Sequence, residues 1–184
     1  MSDGLTGRKI VAGLFVSLDG VVEAPERWHF PYLSEEMGAA VGSMYAEADT
    51  LLLGRATYEA FAAVWPRRTG ELADAINGIG KVVASTTLTR LGWSDSTLIE
   101  GELVAAVKEL KERPGGTITI AGSISLVRTL LAAGLLDELR LLVHPLVVGT
   151  GRRLFPDGTA PVPLKLVRSA AFATGVLDLT YRPA

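Results

Sequence analysis

Short apolar runs alternate along this chain with segments whose apolar residues recur every three or four positions. The runs are rich in Val, Ile and Leu, which is typical of strands buried on both faces of a parallel sheet. The spaced segments predict amphipathic helices. The predicted strands cover residues 9–17, 50–54, 81–85, 97–100, 117–121 and 138–148. The predicted helices cover residues 35–48, with Ser34 as the N-cap, and residues 55–64, 70–78, 103–112 and 123–134.

The C-terminal part of the chain has a different pattern. Residues 164–173 and 175–182 form two apolar runs without a helix between them, and Thr174-Gly175 provides a turn. Strands joined by a short turn pair antiparallel, whereas strands separated by helices pair parallel. The sequence therefore predicts an α/β fold with a mostly parallel sheet and an antiparallel hairpin at one edge.

Length and composition fit one folded domain. The chain has 184 residues, of which 48% are hydrophobic and 21% charged, so it can bury a substantial core. We expect residues 1–7, which are polar, to be flexible and residues 8–184 to form a single domain. The apolar run 10–18 is too short to span a membrane and lacks a signal-peptide cleavage pattern. A cytoplasmic protein is expected.

Charge and rare residue types narrow the possible functions. Eighteen basic and twenty acidic side chains give a net charge of −2, without the basic excess typical of proteins that bind nucleic acid. Cysteine is absent, which excludes disulfides, thiolate nucleophiles and iron–sulfur clusters. The two histidines, His29 and His144, lie far apart in the sequence, so no metal site is expected. A small molecule is the expected binding partner.

Small and hydroxyl-bearing residues follow three of the predicted strands. In parallel sheets, ligands bind beyond the carboxyl ends of the strands. Glycine lets the backbone approach a ligand closely, and a helix N-terminus attracts an anion. The sequence therefore predicts one site for a ligand with separated phosphates. The residues concerned are Gly54, Arg55 and Thr57, then Ser85 and Thr86, and finally Gly122, Ser123 and Ile124.

Each of these groups also has a plainer interpretation. A Gly-Ser pair before a helix is often only a cap, and Ser-Thr clusters are common in turns. Arg55 lies four residues before Glu59, the spacing of an ion pair on one helix face. Neither the G-x-G-x-x-G nor the G-x-x-x-x-G-K-[ST] motif is present, which argues against a standard dinucleotide-binding fold or a P-loop.

Several short motifs, taken in their order and spacing, resemble those of one known superfamily. The resemblance is to the dihydrofolate-reductase-like superfamily, in the branch related to the reductase domain of the bifunctional riboflavin-biosynthesis deaminase–reductase. It extends from about residue 8 to residue 182 and implies a three-layer fold with helices on both faces of the sheet. The motifs that carry it are residues 16–20, 53–59, 82–86, 120–123, 134–139, 145–151 and 154–156.

The resemblance implies that the protein binds NADPH and reduces a small molecule. In this family the segments matching Gly54, Arg55 and Thr57, and Gly122, Ser123 and Ile124, hold the pyrophosphate. Ser85 and Thr86 would lie near the adenosine 2′-phosphate. The expected reaction moves hydride to a heterocycle or a C=N or C=O group, as in 5-amino-6-(5-phosphoribosylamino)uracil reductase. Ala121 stands where the family often has the first glycine of the helix start.

The substrate side departs from true dihydrofolate reductases. Trp28-His-Phe-Pro31 matches their Trp-x-x-Pro motif, but Leu33 stands where they have a carboxylate. The resemblance therefore argues against folate as the substrate. Asp19 matches an aspartate that lies near the substrate in the riboflavin-pathway reductases, and it is the expected catalytic residue. The residues expected to contact the substrate are Trp28, Phe30 and Tyr58.

The residues leave several alternatives open. Asp19 before Gly20 is equally typical of a plain turn, and His29 is either a solvated loop residue or a proton donor. His144 precedes Pro145 in a buried strand and is expected to be a hydrogen-bonded structural residue. The whole chain could also be a nucleotide-binding module without turnover. The apolar run 139–148 could pack across a two-fold axis, and a homodimer is expected.

Overall fold

Eight strands and five α-helices follow one another along the chain in a computed structural model that describes residues 7–184. The predicted flexible segment 1–7 lies outside the described residues, except for Gly7. The strands are β1 (Ile10–Ser17), β2 (Ala48–Gly54), β3 (Gly80–Ala84), β4 (Ser96–Leu98), β5 (Thr117–Ile120), β6 (Glu138–His144), β7 (Leu164–Ala171) and β8 (Leu177–Pro183). The helices are α1 (Glu35–Ala46), α2 (Arg55–Val64), α3 (Glu71–Gly78), α4 (Leu103–Glu112) and α5 (Ile124–Ala132). Short 3-10 helices cover Pro25–Arg27, Phe30–Tyr32 and Trp65–Arg67.

All eight strands form one sheet in the order β4-β3-β2-β5-β1-β6-β8-β7. The first six strands of this order are mutually parallel, and β8 pairs antiparallel with both β6 and β7. The predicted α/β class and the C-terminal hairpin are therefore confirmed. Because β2 lies between β3 and β5, the three predicted strand-end motifs meet at one edge of the sheet.

Helices cover both faces of the sheet, as predicted. One face packs against α4 and α5 and contains the larger apolar cluster. The other packs against α1, α2 and α3. Strand β2 is buried on both sides, since Leu52 packs with the first cluster while Leu51 and Leu53 pack with the second. This explains why residues 51–53 are continuously apolar rather than alternating.

Local side-chain chemistry sets the starts of two helices. The Ser34 hydroxyl accepts a hydrogen bond from the Met37 N–H at 3.1 Å at the start of α1. The Glu102 carboxylate accepts from the N–H groups of Val104 and Ala105 at 2.9 and 2.8 Å at the start of α4. Both residues satisfy amides that have no partner within the helix. Within residues 7–184, no helix has the length and apolar character needed to cross a membrane.

Strand β6 ends at His144 rather than at residue 148, so the predicted strand was too long. Pro145 has no N–H with which to continue the ladder. The chain turns there instead, and the N–H groups of Val148 and Gly149 bond to the Asp19 carboxylate. The apolar character of residues 145–148 is thus not evidence of a strand, since Val147 is exposed.

An ion-pair network fastens the C-terminal hairpin to the sheet. The Asp178 carboxylate on β8 is only 2% exposed. The Arg140 guanidinium on β6 donates to both of its oxygens, at 3.0 and 2.9 Å. Arg168 on β7 donates to the same carboxylate from the solvent side. Arg140 also donates to the Ser43 hydroxyl of α1 at 2.9 Å, so one buried carboxylate connects three strands and a helix.

Candidate functional site

The turns after β2 and β5 pack directly against each other. A side-chain carbon added at Gly54 would lie 2.7 Å from the Ser123 hydroxyl oxygen, and one added at Gly122 would lie 2.9 Å from the Thr57 hydroxyl. Both glycines are buried. Gly122 has a φ of +142° and the peptide bond to Ser123 is cis. We call Gly54, Arg55, Thr57, Gly122 and Ser123 the strand-end cradle.

Two helix N-termini open onto the strand-end cradle. Helix α2 begins at Arg55 and α5 at Ile124, and in the described part of the chain neither has a side chain capping its first amides. Free amides at a helix start bind phosphate and other anions readily. Ile124 takes part through its backbone, because its side chain packs in the core. The cradle is therefore suited to an anionic group held mainly by backbone N–H donors.

Arg55 supplies the positive charge of the cradle. Its side chain is 54% exposed and its guanidinium lies 3.8 Å from the Glu59 carboxylate, at the i,i+4 spacing. An exposed pair at that distance contributes little. The guanidinium remains available to an anion, so the predicted ion pair and the predicted phosphate contact are compatible.

Ser85 and Thr86 lie beside the strand-end cradle, since Ala84 at the end of β3 is in register with Gly54. The Ser85 hydroxyl accepts hydrogen bonds from the N–H groups of Thr87 and Leu88, at 3.2 and 3.0 Å. This is the plain turn role. Thr86 is exposed. Their contact with a 2′-phosphate stays a prediction.

A cluster of rings lies at the carboxyl ends of β1 and β6, next to β5 in the sheet. The His144 ring is edge-on to those of Phe15, Trp28 and Tyr32, at centroid distances of 5.4, 5.1 and 5.5 Å. His29 stacks on Phe15 at 4.7 Å. We call these five residues the aromatic box. Sequence reasoning gave His144 a structural role, and no local signal in the sequence indicates that it meets the Trp28–Pro31 segment.

The remaining candidates around the aromatic box differ in exposure. Trp28 is half-buried and donates its indole N–H to the Glu23 carbonyl at 3.2 Å. The Phe30 ring lies 4.4 Å from the His29 ring, centroid to centroid and tilted to it, and is exposed. Leu33 is exposed too, and Glu36 turns away to accept from the Ala173 N–H at 2.9 Å. Thus no carboxylate of the 33–36 segment enters the box.

The structure corrects the expectation for Tyr58. Its side chain is 3% exposed and packs with Trp93 and Leu53 in the core beneath α2. The Tyr58 hydroxyl accepts a hydrogen bond from the Trp93 N–H at 3.0 Å. A buried ring with its hydroxyl engaged has no face left for a substrate. The predicted substrate contact at Tyr58 is therefore wrong, and the residue supports the fold.

Asp19 holds together the two loops that follow β1 and β6. Its carboxylate accepts from the Ser17 hydroxyl at 2.6 Å and from the N–H groups of Val148 and Gly149 at 3.0 and 2.8 Å. These hydrogen bonds, the one from Ser17 foremost, lower the pKa of Asp19 to about 2. Such a carboxylate is ionised at neutral pH and does not donate a proton. A positioning role fits this geometry, while catalysis by Asp19 stays a prediction.

Replacement of Asp19 by asparagine tests its loop-holding role through pH. The lowered pKa of Asp19 means that its stabilising effect is complete above the unfolded value of about 3.9 and is lost as pH falls towards the folded value. We expect Asp19→Asn to be less stable than the wild type at about pH 6, with the difference shrinking as pH falls below about 4. Urea unfolding at several pH values measures this.

Asp157→Asn, which removes an exposed carboxylate of the same loop region, is the matched control and should leave the pH profile unchanged. A constant difference between Asp19→Asn and wild type at every pH would show that the carboxylate charge does not hold the loops.

The sequence decides the family. A model of the RibD C-terminal domain matches residues 8–177, which is most of the chain. The chain belongs to the RibD C-terminal domain family. Two proteins of Bacillus subtilis are similar over nearly their full length. Uncharacterized protein YyaP is 30% identical over 187 residues, covering 98% of each chain. Uncharacterized protein YwjB is 30% identical over 178 residues, covering 92% of this chain and 95% of its own.

Solved structures share the fold of this RibD C-terminal domain. A pyrimidine reductase-like protein from Corynebacterium diphtheriae has a TM-score of 0.66 at 15% identity, covering 96% of this chain and 92% of its own. Dihydrofolate reductase from Enterococcus faecalis, complexed with NADP(H), gives 0.64 at 17%, covering 95% and 96%. A deaminase/5-amino-6-(5-phosphoribosylamino)uracil reductase from Thermotoga maritima gives 0.68 at 12%, covering 97% and 57%. The predicted dihydrofolate-reductase-like fold is confirmed.

The strand-end cradle fits the diphosphate of a nicotinamide nucleotide. Two glycines bring the turns into contact without intervening side chains, two helix starts have free amides, and Arg55 adds one exposed cation. Among residues 7–184, no three His, Cys, Asp or Glu side chains are grouped closely enough to hold a metal ion. The free amides of the two helix starts are thus the donors that would hold the phosphates.

Proposed function

We propose that this protein is an NADPH-dependent reductase that transfers hydride to a C=N or C=O group of a small heterocyclic substrate, similar to 5-amino-6-(5-phosphoribosylamino)uracil reductase. The observation that carries the proposal is the strand-end cradle, where two uncapped helix starts and two buried glycines meet. The family and the shared reductase-type fold support it.

In this proposal the strand-end cradle binds the cofactor, and the aromatic box binds the substrate. Gly54, Thr57, Gly122 and Ser123 bind the diphosphate through backbone and hydroxyl donors. The exposed Arg55 guanidinium adds positive charge for both the diphosphate and the 2′-phosphate. The bound nicotinamide supplies the hydride. The rings of the aromatic box hold the substrate beside it and exclude water, which is most of what hydride transfer requires of a protein. Asp19 fixes the two loops that border this space.

A second function is a nucleotide-binding module without turnover. Two observations favour it. The Asp19 carboxylate is already engaged in three hydrogen bonds. Leu33, which is exposed, stands where dihydrofolate reductases have a catalytic carboxylate. The same Leu33 disfavours a true dihydrofolate reductase. Oxidation of NADPH across a panel of pterins, aminopyrimidines and small carbonyl compounds separates a reductase from a binding module.

Titration with NADPH and, in parallel, with NADH tests the cofactor directly by nicotinamide fluorescence. We expect saturable binding that favours NADPH. Its 2′-phosphate, which NADH lacks, adds negative charge that can pair with the exposed Arg55 guanidinium of the cradle. Failure of both nucleotides to bind would contradict the reductase proposal and leave the three strand-end motifs as ordinary helix caps and turns.

Replacement of Arg55 by alanine should weaken NADPH binding more than NADH binding. The loss of one charge-assisted hydrogen bond to a phosphate corresponds to about tenfold or more in Kd for NADPH. The matched control is Glu59→Gln, which removes the partner of Arg55 but keeps the guanidinium and should bind both nucleotides as the wild type does. Equal weakening of NADPH and NADH would assign Arg55 to the pyrophosphate instead of the 2′-phosphate.

A further inference from the structure

The loop that joins β3 to β4 starts beside the strand-end cradle, because Ala84 at the end of β3 is in register with Gly54. In the described structure, the hydrogen bonds that tie residues 85–93 of this loop to the rest of the chain come from Trp93 alone. The other hydrogen bonds of these residues stay within the loop and involve the Ser85 hydroxyl. One residue therefore anchors the loop.

Trp93 attaches the loop to two helices at once. Its backbone N–H donates to the Tyr58 hydroxyl of α2 at 3.0 Å, and its indole N–H donates to the side-chain oxygen of Asn77 in α3 at 3.1 Å. Trp93 is 4% exposed. Leu88 and Leu91 pack against the same apolar cluster, but apolar contacts are non-directional. The two hydrogen bonds of Trp93 thus fix the position of the loop relative to α2 and α3.

A buried lysine supports the Trp93 ring. Lys81 on β3 is 1% exposed, and its Nζ lies 4.4 Å from the centroid of the Trp93 ring, over the ring face. The same Nζ donates to the Asn77 backbone carbonyl at 2.6 Å, near the C-terminal end of α3. A buried cation is costly unless it is paired, and its attraction to an indole face is strongest where water is excluded. The lysine charge therefore favours one position of the Trp93 ring.

The anchored loop carries groups that suit a phosphate. Thr86, Thr89 and Arg90 are exposed, and hydroxyl and guanidinium groups donate to phosphate oxygens. The anchor at Tyr58 lies three residues after Arg55, at the start of α2. A loop that shifts from this anchor therefore changes its position relative to Arg55. Since NADPH differs from NADH by one phosphate group, such a shift weakens the binding of NADPH selectively.

We propose that Trp93 is a positioning residue of the nucleotide site, which holds residues 85–92 against α2 and thereby sets the preference for NADPH over NADH. Lys81 and Asn77 keep the Trp93 ring in place. Trp93 acts through the loop, because its own ring is buried. This assignment rests on the proposed function, since it requires a nucleotide bound at the strand-end cradle.

Substitution of Trp93 by phenylalanine tests the positioning role through nucleotide selectivity. Phenylalanine keeps an aromatic ring but lacks the N–H that donates to Asn77. We expect Trp93→Phe to bind NADPH about fivefold more weakly, the equivalent of one lost hydrogen bond, and to bind NADH as the wild type does. Fluorescence titration measures both Kd values. An unchanged ratio of the two Kd values would overturn the proposal.

Trypsin digestion of the nucleotide-free protein shows whether the loop is released. The exposed Arg90 is a cleavage site within the loop, and cleavage there follows the fraction of molecules in which the loop is open. Trp93→Phe should be cut after Arg90 about fivefold faster than the wild type, while cleavage after the exposed Arg152 should not change. The masses of the fragments identify the sites. Cleavage at the wild-type rate would overturn the anchor, and faster cleavage with an unchanged Kd ratio would show a purely structural one.

A second variant reaches the same ring without changing it. Lys81→Met removes the charge but keeps a long side chain, and it should shift the Kd ratio in the same direction as Trp93→Phe. The double variant should lose less than the sum, because both changes act on one contact. Lys81→Met decides alone if Trp93→Phe fails to fold. Thr97→Val is the matched control, since it removes a hydrogen bond to the Lys81 carbonyl at 3.3 Å outside the loop and should keep the wild-type ratio.

The titration also separates failure of this proposal from failure of the proposed function. A wild type that prefers NADPH, with a Trp93→Phe variant that keeps the preference, overturns the positioning role alone. A wild type that binds NADPH and NADH equally does the same, because there is then no preference to set. A wild type that binds neither nucleotide overturns the reductase and the positioning role together.

Discussion

Replacement of Gly54 by alanine is expected to weaken NADPH binding by about 100-fold. The added methyl group would lie 2.7 Å from the Ser123 hydroxyl oxygen, in contact with its Cβ as well. Rotation of the Ser123 side chain cannot relieve this contact, because the Ser123 Cβ does not move when the hydroxyl rotates. The turns after β2 and β5 must therefore separate, which moves the two sets of helix-start amides apart.

The same substitution should lower the free energy of unfolding by about 1–3 kcal/mol, the usual cost of overpacking a filled site. Fluorescence titration with NADPH and urea unfolding measure the two effects. Gly42→Ala is the matched control, because a side chain at this position in α1 meets nothing within 4 Å. It should keep nucleotide binding and raise stability by about 0.5–1 kcal/mol. Unchanged NADPH affinity in Gly54→Ala would show that the cradle does not hold the diphosphate.

Replacement of Asp178 by asparagine is expected to lower the free energy of unfolding by about 3–5 kcal/mol. The substitution keeps the shape of the side chain but removes the charge that neutralises Arg140, whose side chain is 14% exposed. A buried guanidinium without its counter-charge is costly. Urea unfolding of the variant and the wild type at neutral pH measures the loss.

Arg168→Ala is the informative comparison for Asp178. Arg168 donates to the same carboxylate, but its side chain is 51% exposed, so its removal should cost less than about 1 kcal/mol. Similar losses for Asp178→Asn and Arg168→Ala would show that burial of the Arg140 pair does not set the stability of the hairpin. Both variants should retain NADPH binding, because the network lies away from the strand-end cradle.

The architecture was predictable because local patterns carry it. Residues 51–53 of strand β2 are all apolar, since Leu52 faces one layer while Leu51 and Leu53 face the other. The Ser34 cap and the hairpin turn near Gly175 are likewise local signals, and both lie where the sequence predicts them. Even the shared edge of the three strand-end motifs follows from parallel strands, once β2 is placed between β3 and β5.

Tyr58 shows where such reasoning fails. From the sequence it belongs to a motif with Gly54 and Arg55, and nothing local distinguishes a ring that faces a ligand from one that faces the core. The partner that fixes its orientation, Trp93, is 35 residues away. Asp19 is similar, because the amides of Val148 and Gly149 that occupy its carboxylate come from a loop about 130 positions further on.

The sequence by itself determined the order of the strands and helices, the α/β class and the residues that follow each strand. These depend on hydrophobic period, caps and turns, which act between residues a few positions apart. Only the tertiary structure decided that Gly54 meets Ser123, that Asp178 joins Arg140, and that His29 and His144 share one box. Such contacts join distant segments, and packing of the whole sheet brings them together.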